Sequence, residues 1–168
     1  MVACDDSEKL CHTLIDKSLD AYVMALETIN RLSLKYRLEA FLFLICNAWE
    51  LLLKSKVLKD SKDVKALYYD STRTHDLRYC LRTHFADTDP IRRNAERVAD
   101  LRDNATHLVL SELPRAVMGV FQSCVFNYHR CAKQWFHVDL SERVSVGMMT
   151  IVYDLAPHSD DLGVVLKR

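Results

Sequence analysis

The stretch from Tyr36 to Leu58 constrains the fold more than any other, because a helix through it is apolar almost all round. Leu38, Phe41, Leu42, Leu44, Ile45, Ala48, Trp49, Leu51 and Leu52 leave little polar face for water. Such a helix is stable only when other elements enclose it. A membrane span is the competing reading, but the apolar run Leu38 to Leu53 is only 16 residues long and contains Glu39, Asn47 and Glu50. It is too short and too charged for a bilayer. These residues predict the central helix of a bundle, with no membrane partner.

The rest of the chain agrees with a helical class. Its 168 residues are enough for one domain with a sizeable core. It holds three Gly and three Pro, where average usage gives roughly 12 and roughly 8. All-β folds consume both residues in their turns, so the shortage predicts an all-α protein of four to five helices. Helical spacing and capping residues place these at about Ser7–Leu34, Tyr36–Leu58, His75–Phe85, Pro90–Leu110 and from Pro114 to Phe136. Asp60 to Asp76 reads as a linker with a short turn at Val64 to Tyr69. After Phe136 the pattern changes: Val144, Val146, Met148, Thr150 and Val152 alternate, which predicts a strand within Arg143 to Tyr153. A lone strand is not stable. It would pair with a dimer mate, form a hairpin with Leu162 to Leu166, or begin a further domain. The organisation is therefore a helical domain over 1–136 and a strand-like C-terminal extension over 137–168.

With 23 basic and 23 acidic residues the net charge is zero, so no global field draws in nucleic acid. Basic residues still cluster: Arg73, Arg78, Arg82, Arg92, Arg93, Arg97 and Arg102 fall within thirty positions. A solvated arginine-rich face is the plain reading of that run. Cys4, Cys11, Cys46, Cys80, Cys124 and Cys131 form no CxxC pair and no zinc-type spacing. With no signal pattern before Cys4-Asp5-Asp6, they read as free thiols of a cytoplasmic protein. His75, His84, His129 and His137 lack ligand spacing, so neither metal nor cofactor is predicted.

The chemistry-bearing segment is Arg102-Asp103-Asn104-Ala105-Thr106-His107. At ~100° per residue, the helix around it has one apolar stripe: Ile91, Ala95, Val98, Leu101, Ala105, Leu108 and Val109. Arg102 falls inside it, roughly 40° from Val98 and roughly 60° from Ala105. A guanidinium is almost never buried without a partner. Glu50, with Lys54 one turn on, is the odd charge of the central helix. The two read either as an ordinary i,i+4 ion pair or, for Glu50, as the carboxylate that faces Arg102. His107 lies one turn after Asp103, so carboxylate and imidazole share a face.

This Arg–polar–His segment resembles the motif of the HEPN superfamily (higher eukaryotes and prokaryotes nucleotide-binding domain). NAWELLLK, Asn47 to Lys54, resembles the Glu-x-x-x-Lys signature of its second helix. The stretch YRLEAFLFLICNAWELLLKSKVL and the Gln134-Trp135-Phe136 end resemble an uncharacterised prokaryotic branch, and the resemblance spans about Leu19 to Phe136. It implies a HEPN-like helical bundle that forms a homodimer and cleaves single-stranded RNA or tRNA without metal at a composite interface cleft. It further implies a setting of antiviral defence or toxin–antitoxin pairs, with a cognate inhibitor or antitoxin as partner. Arg102 would stabilise charge on the phosphate, and His107 would act as general base or acid. Asp103 would orient His107 and Glu50 would hold Arg102, with Lys54 and Asn104 in support. Some toxins of the family carry tyrosine two positions after the histidine; here that position is Val109, so modification there is not implied. Other members have lost catalysis and bind a nucleotide, RNA or a protein, which is the alternative reading.

Overall fold

In the computed structural model, which describes residues 2–107, 115–140 and 143–151, the apolar segment forms α2 (Arg37–Ser61). Its neighbours in the chain are α1 (Val2–Ile29), a 3₁₀ turn (Val64–Leu67) and α3 (Leu77–His84). Then come α4 (Pro90–His107), α5 (Arg115–Phe136) and a single turn, α6 (Val146–Met149). The described residues are thus all-α, as the composition predicts. α2 lies at the centre: α1 packs along it as the other arm of a helical hairpin, while α3, α4 and α5 cover its remaining sides. Phe41, Leu42, Ile45, Ala48, Trp49, Leu52 and Leu53 are fully enclosed. None of the described helices is long and apolar enough to cross a membrane.

An aromatic cluster locks α1, α2 and α5 together. Tyr22 stacks on Tyr128 with centroids 4.3 Å apart, and Trp49 meets Tyr128 edge-on at 5.6 Å. Each polar tip finds a partner, as buried Tyr and Trp require. Trp49 Nε1 donates to Cys124 Sγ at 3.1 Å, and the Tyr22 hydroxyl donates to the Val125 carbonyl at 3.3 Å. The Ser18 hydroxyl donates its one proton to the Ala48 carbonyl at 2.6 Å. The 2.6 Å contact between Ser18 and Tyr128 is then donated by the phenol. Burial pushes both tyrosines well above the usual phenol range, so they stay neutral. Cys11, Cys46, Cys80, Cys124 and Cys131 are free and buried; the Cys4 side chain lies outside the described residues.

Two departures from the sequence pattern have local causes. The first helix ends at Ile29 rather than Leu34. The Arg37 guanidinium donates to the Ile29 carbonyl at 2.9 Å, and the Asn30 side chain turns to the Met148 carbonyl, also at 2.9 Å. The predicted strand is not formed over 143–151, where the chain makes α6 instead; Val152 and Tyr153 lie outside the described residues. The Gln122 side chain takes the place of a strand partner, donating to the Met149 carbonyl at 2.7 Å and accepting from the Ile151 N–H at 2.9 Å. Leu140, Val144 and Ile151 meanwhile bury in the same core as the helices. Leu108, Val109 and Pro114 also lie outside the described residues.

Replacing Ser18 by alanine leaves the Tyr128 hydroxyl enclosed without an acceptor, a loss of about 1–3 kcal/mol. Urea unfolding of Ser18→Ala should show that loss, and Ser18→Ala with Tyr128→Phe should recover part of it.

Candidate functional site

α4 begins where the sequence predicts, since the Asp89 carboxylate accepts from the Ile91 N–H at 2.7 Å and Pro90 needs no donor partner there. Ala95, Val98 and Ala105 of the predicted stripe are buried, and so is Ala99. Arg102 stands within that stripe, its side chain 26 % exposed. Beneath it on α2 is Cys46, whose thiol burial pushes up to about 12, against the pull of Arg102.

Asp103 holds the arginine. Its Oδ1 accepts from Arg102 Nε at 3.0 Å and Nη2 at 2.8 Å. Its Oδ2 accepts from Arg78 Nη2 at 2.7 Å, and Arg78 also reaches Asp100 at 2.9 Å. Two guanidiniums from different helices therefore converge on one carboxylate. Burial alone would raise the Asp103 carboxyl, but the bonds from Arg78 and Arg102 outweigh it and hold the group below the usual range. Arg78 is pushed up chiefly by its bond to Asp103.

Glu50 makes a different pairing from the expected one. Its Oε1 accepts from Lys54 Nζ at 2.6 Å, and Lys54 donates also to the Thr74 hydroxyl at 2.9 Å. Among the described residues Glu50 makes no ion pair with Arg102, so the i,i+4 reading is the correct one. The reason is the Lys54 ammonium, only 9 % exposed, which needs an anion more than the better-solvated Arg102 does. Glu50 still lies near the Arg102 corner, because both act electrostatically on Cys46.

The structure therefore gathers Arg102, Asp103, Arg78 and Asp100 where α3 meets α4, with Asn104 exposed beside them, while Glu50 and Lys54 pair with each other on α2. The His107 side chain lies outside the described residues, although its backbone closes α4. Both Asp103 oxygens face arginines, so this carboxylate aims Arg102 and Arg78. Arg78 and Asp100 were not legible as site residues, because no spacing within the chain reveals that α3 docks against α4. Much of the arginine run is paired internally: Arg92 joins Asp87 and Glu96, and Arg93 donates to the Asp87 carbonyl. Among the described residues no group of three His, Cys, Asp or Glu side chains could hold a metal ion. Two cavities lie elsewhere. One of about 660 Å³ sits between Cys11, His12, Leu58 and Phe136, and one of about 620 Å³ between Lys56, His84 and Trp135. Neither is lined by Arg102.

Glu50→Ala strands the enclosed Lys54 ammonium and should cost near the lower end of the ~3–5 kcal/mol for a broken buried pair, since Thr74 remains as partner. Asp103→Ala should cost under about 1 kcal/mol, because that carboxylate is 48 % exposed and water screens it. Denaturant midpoints of the two variants check the order. The Asp103 contribution is complete above the unfolded carboxyl value of about 3.9 and is lost as pH falls through its lower folded value.

No curated protein and no solved structure matches the chain. A family model described as "Domain of unknown function (DUF3644)" matches residues 13–164, a span that takes in α2, α3, α4 and α5 and with them the Arg102 corner, so the chain belongs to that family.

Proposed function

We propose that this protein is a metal-independent endoribonuclease of the HEPN type, acting in the cytoplasm as a homodimer on single-stranded RNA or tRNA. The observation that carries the reading is Arg102. It is an arginine set in the apolar stripe of α4, with its Nε edge fixed by Asp103, five residues before His107. A planar fork held in one orientation suits a phosphate whose charge grows in the transition state. His107 takes the proton of the ribose 2′-hydroxyl, that oxygen attacks phosphorus, and the 5′-oxygen departs with a proton. A 2′,3′-cyclic phosphate remains.

The dimer completes the site. Residues five apart on an ideal helix project about 140° apart, so Arg102 and His107 of one α4 do not converge on one phosphate. Two α4 helices facing across a two-fold axis bring the arginine of one copy to the histidine of the other. The Arg102 corner is the surface such a partner would roof. Defence against viruses or a toxin paired with an antitoxin is the setting this chemistry fits.

One observation favours a second reading. Arg78 and Arg102 are balanced by Asp100 and Asp103, so the corner is neutral as it stands. A neutral network is also what a non-catalytic HEPN module that binds a nucleotide, RNA or a protein would keep.

The test is incubation of the purified protein with mixed RNA in chelator. Cleavage leaving cyclic phosphate ends is expected, with a loss of at least about 10²-fold in His107→Ala. Sedimentation should show a dimer at micromolar concentration. Cleavage that needs magnesium, or that survives His107→Ala unchanged, would refute the assignment in favour of the binding module.

A further inference from the structure

The loop between α2 and α3, with the first turn of α3, carries three aromatic rings that neither the core nor the Arg102 corner uses. Its backbone is firmly held. Tyr68 and Thr74 form an antiparallel bridge, the Tyr69 N–H donates to the Arg73 carbonyl at 2.8 Å, and the His75 N–H donates to the Leu67 carbonyl at 2.9 Å. At the tip, Asp70 Oδ1 accepts from the backbone N–H groups of Thr72 and Arg73, both at 2.8 Å. Those bonds hold its carboxyl below the usual range. At the base, Leu67 is buried, Lys54 donates to Thr74, and Asp76 caps α3 through the Tyr79 N–H.

On this support the rings are arranged in series. His75 lies flat on Tyr79, with centroids 3.6 Å apart and planes 9° apart. Tyr69 meets His75 edge-on at 6.1 Å. Tyr69 is nevertheless 77 % exposed and Tyr79 43 %. Rings of this size usually bury most of their surface, and exposed apolar surface on a rigid support marks a binding site.

The surrounding side chains point to the class of ligand. Asp70 and Asp76 accept from backbone N–H groups and not from a guanidinium. Arg73 and Arg82 are exposed and make no ion pair among the described residues. Flat faces beside free guanidiniums suit a polymer with flat, unpaired bases and a phosphate backbone. Tyr79 shares α3 with Arg78, whose guanidinium bonds Asp103.

We infer that Tyr69, His75 and Tyr79 form a base-stacking subsite that holds unpaired nucleotides, with Arg73 and Arg82 available to the backbone phosphates. The inference rests on the ribonuclease reading for its purpose, but not for its measurement. Stacking needs no 2′-hydroxyl, so a short fluorescein-labelled single-stranded DNA, which cannot be cleaved by this route, reports binding alone. Fluorescence anisotropy should show the wild-type protein binding it, and its fully paired duplex at least tenfold more weakly. Tyr69→Ala should weaken binding about 5- to 150-fold, the range that one base–aromatic stack supplies. Tyr69→Phe should retain binding, and Tyr79→Leu should weaken it. An abasic strand should erase the difference between wild type and Tyr69→Ala. No binding of the single strand, as expected if a protein occupies these rings, would overturn the inference. So would unchanged binding in Tyr69→Ala, or equal losses in Tyr69→Ala and Tyr69→Phe. Binding lost in Tyr69→Ala, from a protein that cleaves no RNA, would keep the subsite and remove the nuclease. Metal-free cleavage abolished in His107→Ala, with unchanged binding in Tyr69→Ala, would remove the subsite alone.

Discussion

Enclosure of α2 is the constraint on which the rest of this structure depends. A helix with apolar side chains on nearly every side gains its stability only by burial, at roughly 25 cal/mol per Å² removed from water. No single neighbour can cover it. α1 takes one side as the antiparallel arm, α5 closes over Trp49 through Cys124 and Tyr128, and α3 and α4 shield what remains. The polar atoms on α2 then become the attachment points of those neighbours. The Ala48 carbonyl receives Ser18 of α1, and the Ser55 carbonyl receives the Cys11 thiol at 3.4 Å.

Lys54 and Glu39 are both charged and buried on this helix, and Lys54 explains the position of the loop before α3. Burying an ammonium beside Leu53 and Leu58 is unfavourable unless both charge and donors are met. Glu50 meets the charge and Thr74 takes a second donor, so the loop is fastened to α2 at the base of its hairpin. That contact fixes where α3 starts, and α3 in turn presents Arg78 to Asp103. A geometric chain thus runs from one buried lysine to the arginine pair.

The helices were legible for two reasons. α3, α4 and α5 show the 3.6-residue period of burial on a helix, and α2 shows a nearly all-round apolar surface that only an enclosed helix can carry. The Asp89 cap and Arg102 within an apolar stripe were legible as well, since both depend on positions a few residues apart. Other features depend on groups far apart in sequence. The alternation near Met148 looks like a strand, yet Gln122, some 27 residues earlier, supplies the pairing that lets the segment end in a turn of helix. Helical projection leaves Glu50 two partners, Lys54 one turn on and Arg102 across the bundle, because it gives a face and not a distance; the enclosed Lys54 takes the carboxylate. Arg78 carries no signal of its own within a run of seven arginines.

Asp103 has the most to decide in the chemistry of the corner. Its two oxygens span a pair of guanidiniums much as two oxygens of a phosphodiester would, and with the same charge. On the ribonuclease reading it is a stand-in for the substrate, neutralising Arg78 and Arg102 until RNA arrives. The displaced carboxylate stays tethered next to Arg102, so the phosphate adds its charge to the corner instead of replacing that of Asp103. Water already reaches the carboxylate, so its release requires no opening of the core. Arg102 would stay in place during the exchange, because Val98 and Ala105 flank its stem on α4 and Cys46 lies beneath it. An arginine whose stem is packed and whose partner is exchangeable loses little conformational freedom when it meets a phosphate. That preorganisation is how a corner with no net charge can still stabilise charge that develops during reaction.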